Sequence, residues 1–299
     1  MSSAWPPTDP RRQAGFTLTE LAVVLAIVAL LLGSVTYTLS AHLESRAQLE
    51  TQRRLADARE LLIAYAMANG RLPCPARYAS DADHSAGLES FCVAASGACD
   101  AGDAATRTTS VQAHGNCAHF YDGYLPAASL GYTPIDSAGF ALDAWGARIR
   151  YAVAKKTAHP AGAASCKKLD GTLLTGLPLF TKVRAADETL IGCVPDEMVV
   201  CASPSGVTPT TCGGAAAVTN QNIVAAVLLS TGKNWASGPN ATKALALGRV
   251  DEAANVDGDG VFVWHPPRPA SEANEFDDQL AWLPASLLYA RMISAGVLP

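Results

Sequence analysis

The chain has 299 residues, of which 49% are hydrophobic and 16% are charged, so it can bury the core of one sizeable domain or two small ones. Its net charge is −5 at pH 7. This acidic balance argues against nucleic-acid binding as the main task, because contacts to a phosphate backbone need clustered lysine and arginine.

An apolar segment follows a short polar leader that contains Arg11 and Arg12. As an α-helix the segment from Phe16 to Leu39 is about 36 Å long, enough to cross the ~30 Å hydrocarbon core of a bilayer. The arginines before it, with no equal basic cluster after it, place the N-terminus in the cytoplasm and the bulk of the chain outside. The run is too long for the apolar region of a secretory signal.

The helical pattern continues beyond this segment. Apolar residues recur at three- to four-residue steps from Leu43 through Leu55, Ala58 and Leu62, while charged residues fill the other faces. A cap at Gly70 ends the pattern. The sequence therefore predicts a stalk helix over residues 16–70, transmembrane over 16–39 and amphipathic afterwards.

Glu20 is a carboxylate near the cytoplasmic edge of the apolar segment, where an ionised group costs about 2.5 to 3.5 kcal/mol. One interpretation is that its side chain reaches the lipid headgroups. The other is that it pairs with a cation. Cleavage between Gly15 and Phe16 creates an α-amino group about one helical turn from Glu20, and the amine of a neighbouring copy can pair with it in a low-dielectric bundle.

The stretch Gly15-Phe16-Thr17-Leu18-Thr19-Glu20, with the basic leader before it and the apolar run after it, resembles the signal of type IV pilins and type II secretion pseudopilins. The resemblance implies a leader peptide over residues 1–15, cleavage after Gly15 by a prepilin peptidase, and methylation of Phe16. It also implies that Glu20 pairs with an N-terminus during assembly. The implied partners are other pilins or pseudopilins, the peptidase and an inner-membrane assembly platform.

Eight cysteines lie on one side of the apolar segment, and an even number in one compartment predicts four disulfides in an oxidising space such as a bacterial periplasm. They are Cys74, Cys92, Cys99, Cys117, Cys166, Cys193, Cys201 and Cys212. Sequence does not determine the connectivity, and our hypothesis is sequential pairing, which closes short loops. The alternative is a zinc site, for which only the stretch from His114 through Cys117 to His119 has ligand-like spacing.

Residues 71–299 are predicted to form an α+β head, in which the stalk helix packs on a small antiparallel β-sheet with disulfide-rich loop insertions. Strand patterns and a short C-terminal helix support this prediction. The strands are expected at Arg148–Ala154, Glu197–Ala202, Ile223–Ser230 and Gly260–Trp264, the helix at Pro284–Ala295, and loops at 155–175 and 203–220. The block from Asp143 to Gly146 resembles a region of the major pseudopilins that turns into the first strand of the sheet, which implies that Trp145 lies in the core.

A calcium site is one interpretation of two acidic stretches. Asn255, Asp257 and Asp259 present oxygen side chains at alternate positions, as in the first half of a calcium loop, but the glutamate expected at the twelfth position is absent. Asp277 and Asp278 can supply the missing carboxylate, and the stretch beginning at Asp277 resembles one near which the major pseudopilins bind calcium. The other interpretation is a solvated acidic turn.

The sequence indicates a structural protein and not an enzyme. Ser165 and Lys168 match Ser-x-x-Lys, but the companion elements are absent, as are Gly-x-Ser-x-Gly and His-Glu-x-x-His. The expected function is that of a pseudopilin or minor pilin, made as a single-pass inner-membrane precursor with a periplasmic head and then assembled into a periplasmic or extracellular filament. The alternatives are a tip-located minor pilin that acts in adhesion or ligand binding, and a permanently anchored periplasmic domain.

Overall fold

The computed structural model describes residues 17–77, 87–92, 107–108, 117–154, 157–158, 194–195, 198–220, 223–236, 240–269 and 274–297. Within these ranges, the side chains of residues 32–41, 92, 107–108, 157–158 and 194–195 are not described. The chain divides into two compact units, Met1–Ala47 and Gln48–Pro299. The division falls inside the first helix, so the later part of the predicted stalk belongs to the same unit as the head.

The described residues form an α+β fold. The helices are α1 (Leu18–Asn69), α2 (Ala127–Leu130), α3 (Ala241–Ala246), α4 (Val250–Ala254) and α5 (Ala285–Ser294). The strands are β1 (Phe91–Cys92), β2 (Arg107–Thr108), β3 (Gly123–Tyr124), β4 (Arg150–Val153), β5 (Thr157–Ala158), β6 (Val194–Pro195), β7 (Val199–Cys201), β8 (Val224–Ser230), β9 (Val261–Val263) and β10 (Gln279–Pro284). The strands β4, β7, β8 and β9 and the helix α5 confirm the sequence predictions to within a few residues.

A four-stranded antiparallel sheet in the order β10-β8-β4-β3 forms the centre of the head. All seven residues of β8 are buried, as expected for a strand made almost entirely of apolar residues. In the register, Leu228 of β8 lies opposite Tyr151 of β4 and Ala281 of β10. At the other edge, Ala76 and Tyr124 exchange two backbone hydrogen bonds of 2.8 Å, so the chain leaving α1 extends the sheet.

The second half of α1 packs into the core of the head. Leu55, Ala58 and Leu62 are at most 2% exposed and share one apolar cluster with residues of the sheet and of α5. Their three- and four-residue spacing places them on one face of the helix. This confirms the predicted amphipathic stripe from Leu55 onward, whereas Leu43, predicted in the same stripe, is 57% exposed in the first unit.

Hydrogen bonds join α1 to the turn before β4. Arg54 donates to the carbonyl oxygen of Asp143 at 2.6 Å, and the hydroxyl of Thr51 accepts the N–H of Ala144 at 3.1 Å. Trp145 in this turn is only partly buried and lies outside the core clusters, so the prediction of a core tryptophan is wrong. The reason is its position in a tight turn, directly before Gly146 at a φ of +83°.

Two disulfides are described, Cys74–Cys117 and Cys201–Cys212, with Cα–Cα distances of 5.3 and 5.5 Å. The predicted pairing of residues 201 and 212 is confirmed. The pairings of 74 with 92 and of 99 with 117 are wrong, because an antiparallel bridge between Phe91 and Cys117 brings Cys117 beside the chain that leaves α1. The bond also removes Cys117 as a zinc ligand. Residues 99, 114, 166 and 193 lie outside the described residues.

Several elements differ from the sequence predictions. The strand β5 lies inside the stretch 155–175, which was predicted to be a loop, and the short elements β1, β2, β3, β6 and α2 were not predicted. Also not predicted are the edge strand β10, which follows Asp277 and Asp278, and the short helices α3 and α4, which precede β9. In addition, β7 pairs with β9 in a separate parallel two-stranded sheet and does not join the central sheet. Together, α4, β9 and the start of β10 bring the acidic residues of the head close to one another.

Candidate functional site

The start of α1 forms a capping box between Thr17 and Glu20. The Thr17 hydroxyl accepts the backbone N–H of Glu20 at 3.2 Å, and the Glu20 carboxylate accepts the backbone N–H of Thr17 at 2.9 Å. The Thr17 hydroxyl also lies 2.9 Å from the same carboxylate oxygen. Each side chain therefore satisfies a backbone donor that the first turn of a helix leaves without a partner.

This arrangement gives Glu20 a role within a single chain. Its negative charge lies in the first turn of α1, where the helix dipole favours an anion. Lipid headgroups and a neighbouring amine are the partners expected from the sequence, which also contains the Thr-x-x-Glu spacing of a capping box. Gly15 and Phe16 lie outside the described residues.

The apolar side chains that follow Glu20 are exposed along successive turns of α1. Leu21 is 55% exposed, Leu25 59% and Leu30 75%. Such a continuous apolar surface is typical of a helix that is covered by lipid or by other helices.

Among the side chains that the structure describes, no helix combines the length and the hydropathy needed to cross a membrane. The predicted transmembrane segment also contains residues 32–39, whose side chains the structure does not describe.

A comparison with protein families matches residues 10–36 to the family described as "Prokaryotic N-terminal methylation motif". The chain carries a type IV prepilin signal. The match covers the end of the predicted leader, the capping box and the first apolar turns of α1, and it is consistent with the pilin and pseudopilin family. No curated protein and no solved structure matches the chain.

The head of this prepilin-like chain contains a cluster of three carboxylates, which we call the acidic cluster: Glu252 of α4, and Asp277 and Asp278 immediately before β10. One ligand atom from each residue lies within 4.8 Å of the others. The cluster depends on the antiparallel pairing of β10 with β8, because the chain that follows β8 contacts two of its members. Lys233 donates its N–H to Asp277 at 3.1 Å, and Asn234 donates its side-chain amide to Glu252 at 2.7 Å.

Asn255 connects the acidic cluster to β9. Its amide nitrogen donates to Asp278 at 2.7 Å and to the carbonyl oxygen of Val263 at 3.1 Å. Its amide oxygen accepts the N–H of Val263 at 2.7 Å. Both polar atoms of the Asn255 side-chain amide therefore form hydrogen bonds, and these bonds hold Asp278 next to the end of β9.

Burial raises the pKa values of all three carboxylates of the acidic cluster, although Arg249 acts on Glu252 and Arg150 on Asp278 in the opposite direction. Arg249 lies 3.7 Å from Glu252, but it also pairs with Glu275 at 2.6 Å. Burial raises the pKa of Asp277 to about 7, and the nearby Glu252 carboxylate adds to the rise. Burial also raises the pKa of Asp278 well above its ordinary value. These shifts mean that the ionised carboxylates repel one another in a poorly solvated site.

The donor set fits a hard divalent cation. Oδ1 of Asp277 is buried and has no hydrogen-bond partner among the described residues, and the surrounding ligands are all oxygen atoms, which calcium prefers. A cation at this position compensates both the orphaned oxygen and the mutual repulsion. Glu252, Asp277 and Asp278 are the residues that would hold it.

The structure separates the five residues for which calcium binding was predicted. Asp277 and Asp278 lie together, and Asn255 contacts Asp278. Asp257 and Asp259 instead form the turn before β9, in which Asp257 accepts the N–H of Asp259 at 3.2 Å and Asp259 accepts that of Val261 at 2.8 Å.

Glu252 was missed. The only signal in the sequence was a pair of acidic residues, Asp251 and Glu252, inside the short stretch that forms α4.

Proposed function

We propose that the protein is a structural subunit, a pseudopilin or minor pilin, of a type IV pilus-like or type II secretion filament. The observation that carries the proposal is the prepilin signal over residues 10–36, which continues directly into the apolar surface of α1. The proposed precursor is a single-pass inner-membrane protein with a cytoplasmic N-terminus and a periplasmic head. The prepilin peptidase cleaves it after Gly15, and Phe16 is methylated.

In this proposal Glu20 changes partner during assembly. Before assembly its carboxylate caps α1 through Thr17. In the filament it pairs with the N-terminal amine of a neighbouring subunit, and the apolar side chains of α1 pack against one another in the bundle of stalks. This packing keeps them out of water once the subunit has left the lipid, and it is worth about 25 cal/mol per Å² of apolar surface relative to exposure to water. The charge pair aligns the helices in the bundle.

Three substitutions test the role of Glu20. A capping box accepts glutamine in place of glutamate, so Glu20→Gln keeps the hydrogen bond from the Thr17 N–H but removes the charge. We expect Glu20→Gln and Glu20→Ala to reduce incorporation into sheared filaments equally, with membrane insertion intact. Thr17→Val, the matched control, removes the hydroxyl and keeps the carboxylate, and we expect it to assemble. Normal incorporation of Glu20→Gln would contradict pairing with an amine.

The maturation step has a separate measurement. Intact-mass and N-terminal analysis of envelope fractions is expected to show loss of residues 1–15 and a methylated Phe16. Retention of the leader on all copies would contradict the filament proposal and would favour a permanently anchored periplasmic protein.

We further propose that the acidic cluster holds a structural calcium ion. The supporting observations are the three converging carboxylates, the buried oxygen of Asp277 without a partner among the described residues, and the raised pKa of all three members. When bound, calcium supplies positive charge that joins α4 to the start of β10. The residues of this chain provide the oxygen ligands and, through Asn255, the orientation of Asp278.

The second candidate function is that of a tip-located subunit that binds a ligand. It is favoured by the disulfide-closed loop over residues 201–212, which has no charged residue and in which Ser205, Thr208 and Thr211 are exposed. Immunogold labelling of filaments distinguishes the two candidates, because a tip subunit labels the ends and a shaft subunit labels the length.

A further inference from the structure

One face of α1 stays exposed where the helix belongs to the head. Leu49 is 63% exposed, and Arg53, Glu60 and Ala64 are exposed as well. These residues follow one another at steps of four and seven positions, so they lie along one side of the helix. We call this side the outer face. The buried stripe that packs into the core lies on the opposite side.

The outer face carries two opposite charges at a fixed distance. Arg53 and Glu60 are seven residues apart, which corresponds to two helical turns and about 10.5 Å along the helix axis. Seven residues return to almost the same angle around the axis, so the positive and the negative group point in nearly the same direction.

Each of the two charges has a contact within the chain, and neither contact buries it. Arg53 lies 3.9 Å from Asp57, and Glu60 lies 3.7 Å from Arg291 of α5. All four side chains are more than half exposed. Exposed pairs of this kind contribute little to stability, so Arg53 and Glu60 can pair with groups on another molecule at little cost.

The charges favour one register between two parallel copies. In the proposed filament the stalks are parallel, because every subunit enters from the same side of the membrane. Two outer faces at the same height bring arginine opposite arginine and glutamate opposite glutamate, which is repulsive. A displacement by two helical turns brings Arg53 of one copy opposite Glu60 of the next. It also brings Leu49 level with Ala56, a small and only partly buried residue that leaves room for the leucine.

We propose that the outer face docks against the outer face of a second copy of this chain, displaced by about 10.5 Å along the helix axis, with Arg53 of one copy paired to Glu60 of the next. The inference rests on the proposed filament function and adds to it a contact surface and a register. Docking covers Leu49, and the charge pair selects the displaced arrangement over the level one.

Charge reversal tests the pairing through incorporation of the full chain into sheared filaments. Arg53→Glu and Glu60→Arg each place like charges opposite one another, and we expect each to lower incorporation at least about threefold. The variant with both substitutions exchanges the two charges and should incorporate like the wild type. Arg291→Glu is the matched control, because it makes the same charge change as Arg53→Glu outside the outer face, and we expect it to incorporate normally.

Co-expression of the two single variants distinguishes pairing between copies from pairing within a chain. In a mixed filament the reversed charge at position 53 of one variant meets the reversed charge at position 60 of the other, and the two unreversed charges meet at the alternate junctions. We therefore expect both variants to return to the filament in about equal amounts. A variant that fails to fold cannot be rescued in this way.

The outcomes separate this inference from the filament proposal. Absence of the wild-type chain from filaments would overturn both. The pairing alone is overturned if the wild type incorporates and both single variants do so equally well, or if neither the exchanged variant nor the mixture recovers. It is also overturned if Arg291→Glu lowers incorporation as much as Arg53→Glu, because Glu60 would then act through its contact within the chain.

Discussion

Ser230 donates a hydrogen bond of 2.5 Å to the Oδ2 atom of Asp143, from which it is separated by 87 residues. The other carboxylate oxygen of Asp143 accepts the N–H groups of Trp145 and Ala147 at 2.9 and 2.8 Å. Asp143 is 2% exposed and Ser230 is fully buried. A single carboxylate therefore joins the end of β8 to the turn before β4, and the same turn binds Arg54 of α1.

Removal of this carboxylate is expected to destabilise the head strongly. Asp143→Ala leaves two backbone N–H groups and a hydroxyl without their acceptor in a buried site, which we expect to lower the free energy of unfolding by roughly 3 kcal/mol. Ser230→Ala removes one donor and costs about 1 kcal/mol. Urea unfolding of both single variants and the double variant measures the effect. The double variant is expected to lose less than the sum of the two, and strict additivity would contradict the described bond.

Arg71 and Glu89 form a second long-range pair, where the chain leaves α1. Arg71 donates to the two carboxylate oxygens of Glu89 at 2.6 and 3.0 Å, and Glu89 also accepts the N–H of Cys74 and the hydroxyl of Tyr65. Because the side chain of Glu89 is only 5% exposed, Arg71→Met leaves a buried carboxylate without its cation. We expect a loss of about 3 to 5 kcal/mol in thermal or urea unfolding.

A partner substitution separates the ion pair from simple packing. Arg71→Met combined with Glu89→Gln removes both charges while preserving most of the volume, and we expect it to be more stable than Arg71→Met alone. A double variant less stable than the single variant would contradict an uncompensated charge as the cause.

The parts of the fold that depend on local pattern could be predicted from the sequence. The run of six apolar residues in β8 and the regular spacing of Leu55, Ala58 and Leu62 each indicate their element without knowledge of the rest of the chain. The same holds for α5 and for the prepilin signal. In each of these cases periodicity or a contiguous motif carries the information.

The parts that depend on contacts between distant residues could not be predicted. The acidic cluster joins Glu252 to residues 25 and 26 positions later, and its existence depends on α4, a helix of five residues that is too short to show a period. Two other cysteines, Cys92 and Cys99, lie between Cys74 and Cys117 in the sequence. Cys74 bonds to Cys117 because the β-bridge between Phe91 and Cys117 places Cys117 near Cys74. The spacing of cysteines along a sequence does not determine which of them pair.

The Cys74–Cys117 disulfide is expected to be needed for a stable head. Its loss, in a variant with both residues changed to serine, removes a cross-link between residues 43 positions apart and is expected to cost about 2 to 5 kcal/mol. Peptide mapping under non-reducing conditions checks the connectivity first. It should yield peptides joining 74 to 117 and 201 to 212, and a peptide joining 74 to 92 would contradict the described fold.

Calcium is expected to raise the melting temperature of the chelator-treated full chain in detergent. At a concentration 100 times the dissociation constant, a ligand specific for the folded state contributes about 2.7 kcal/mol. Glu252→Gln removes one carboxylate of the acidic cluster and is expected to reduce the calcium-dependent shift. Asp257→Asn, in the turn before β9, is the matched control and should retain it. If Asp257→Asn abolishes the shift and Glu252→Gln does not, calcium binds at the turn and not at the acidic cluster.

Tyr132 is expected to make the head sensitive to alkaline pH. It is 4% exposed, burial raises the pKa of its phenol to about 12, and its hydroxyl has no hydrogen-bond partner in the described part of the chain. The unfolded phenol ionises near pH 10. Because the folded pKa is the higher one, ionisation of this phenol does not affect stability below about pH 10, and it lowers the free energy of unfolding by roughly 2 kcal/mol as the pH rises towards 12.

Tyr132→Phe separates this effect from that of the buried Tyr151 and the partly buried Tyr65 and Tyr289, whose pKa values burial also raises. The variant loses an unsatisfied hydroxyl, so we expect it to be about 1 kcal/mol more stable than the wild type at neutral pH. That advantage should widen between pH 10 and 12, since only the wild type must ionise or expose Tyr132. Urea unfolding at both pH values measures the difference, and a constant or shrinking gap would mean that Tyr132 is hydrated or hydrogen-bonded in the native head.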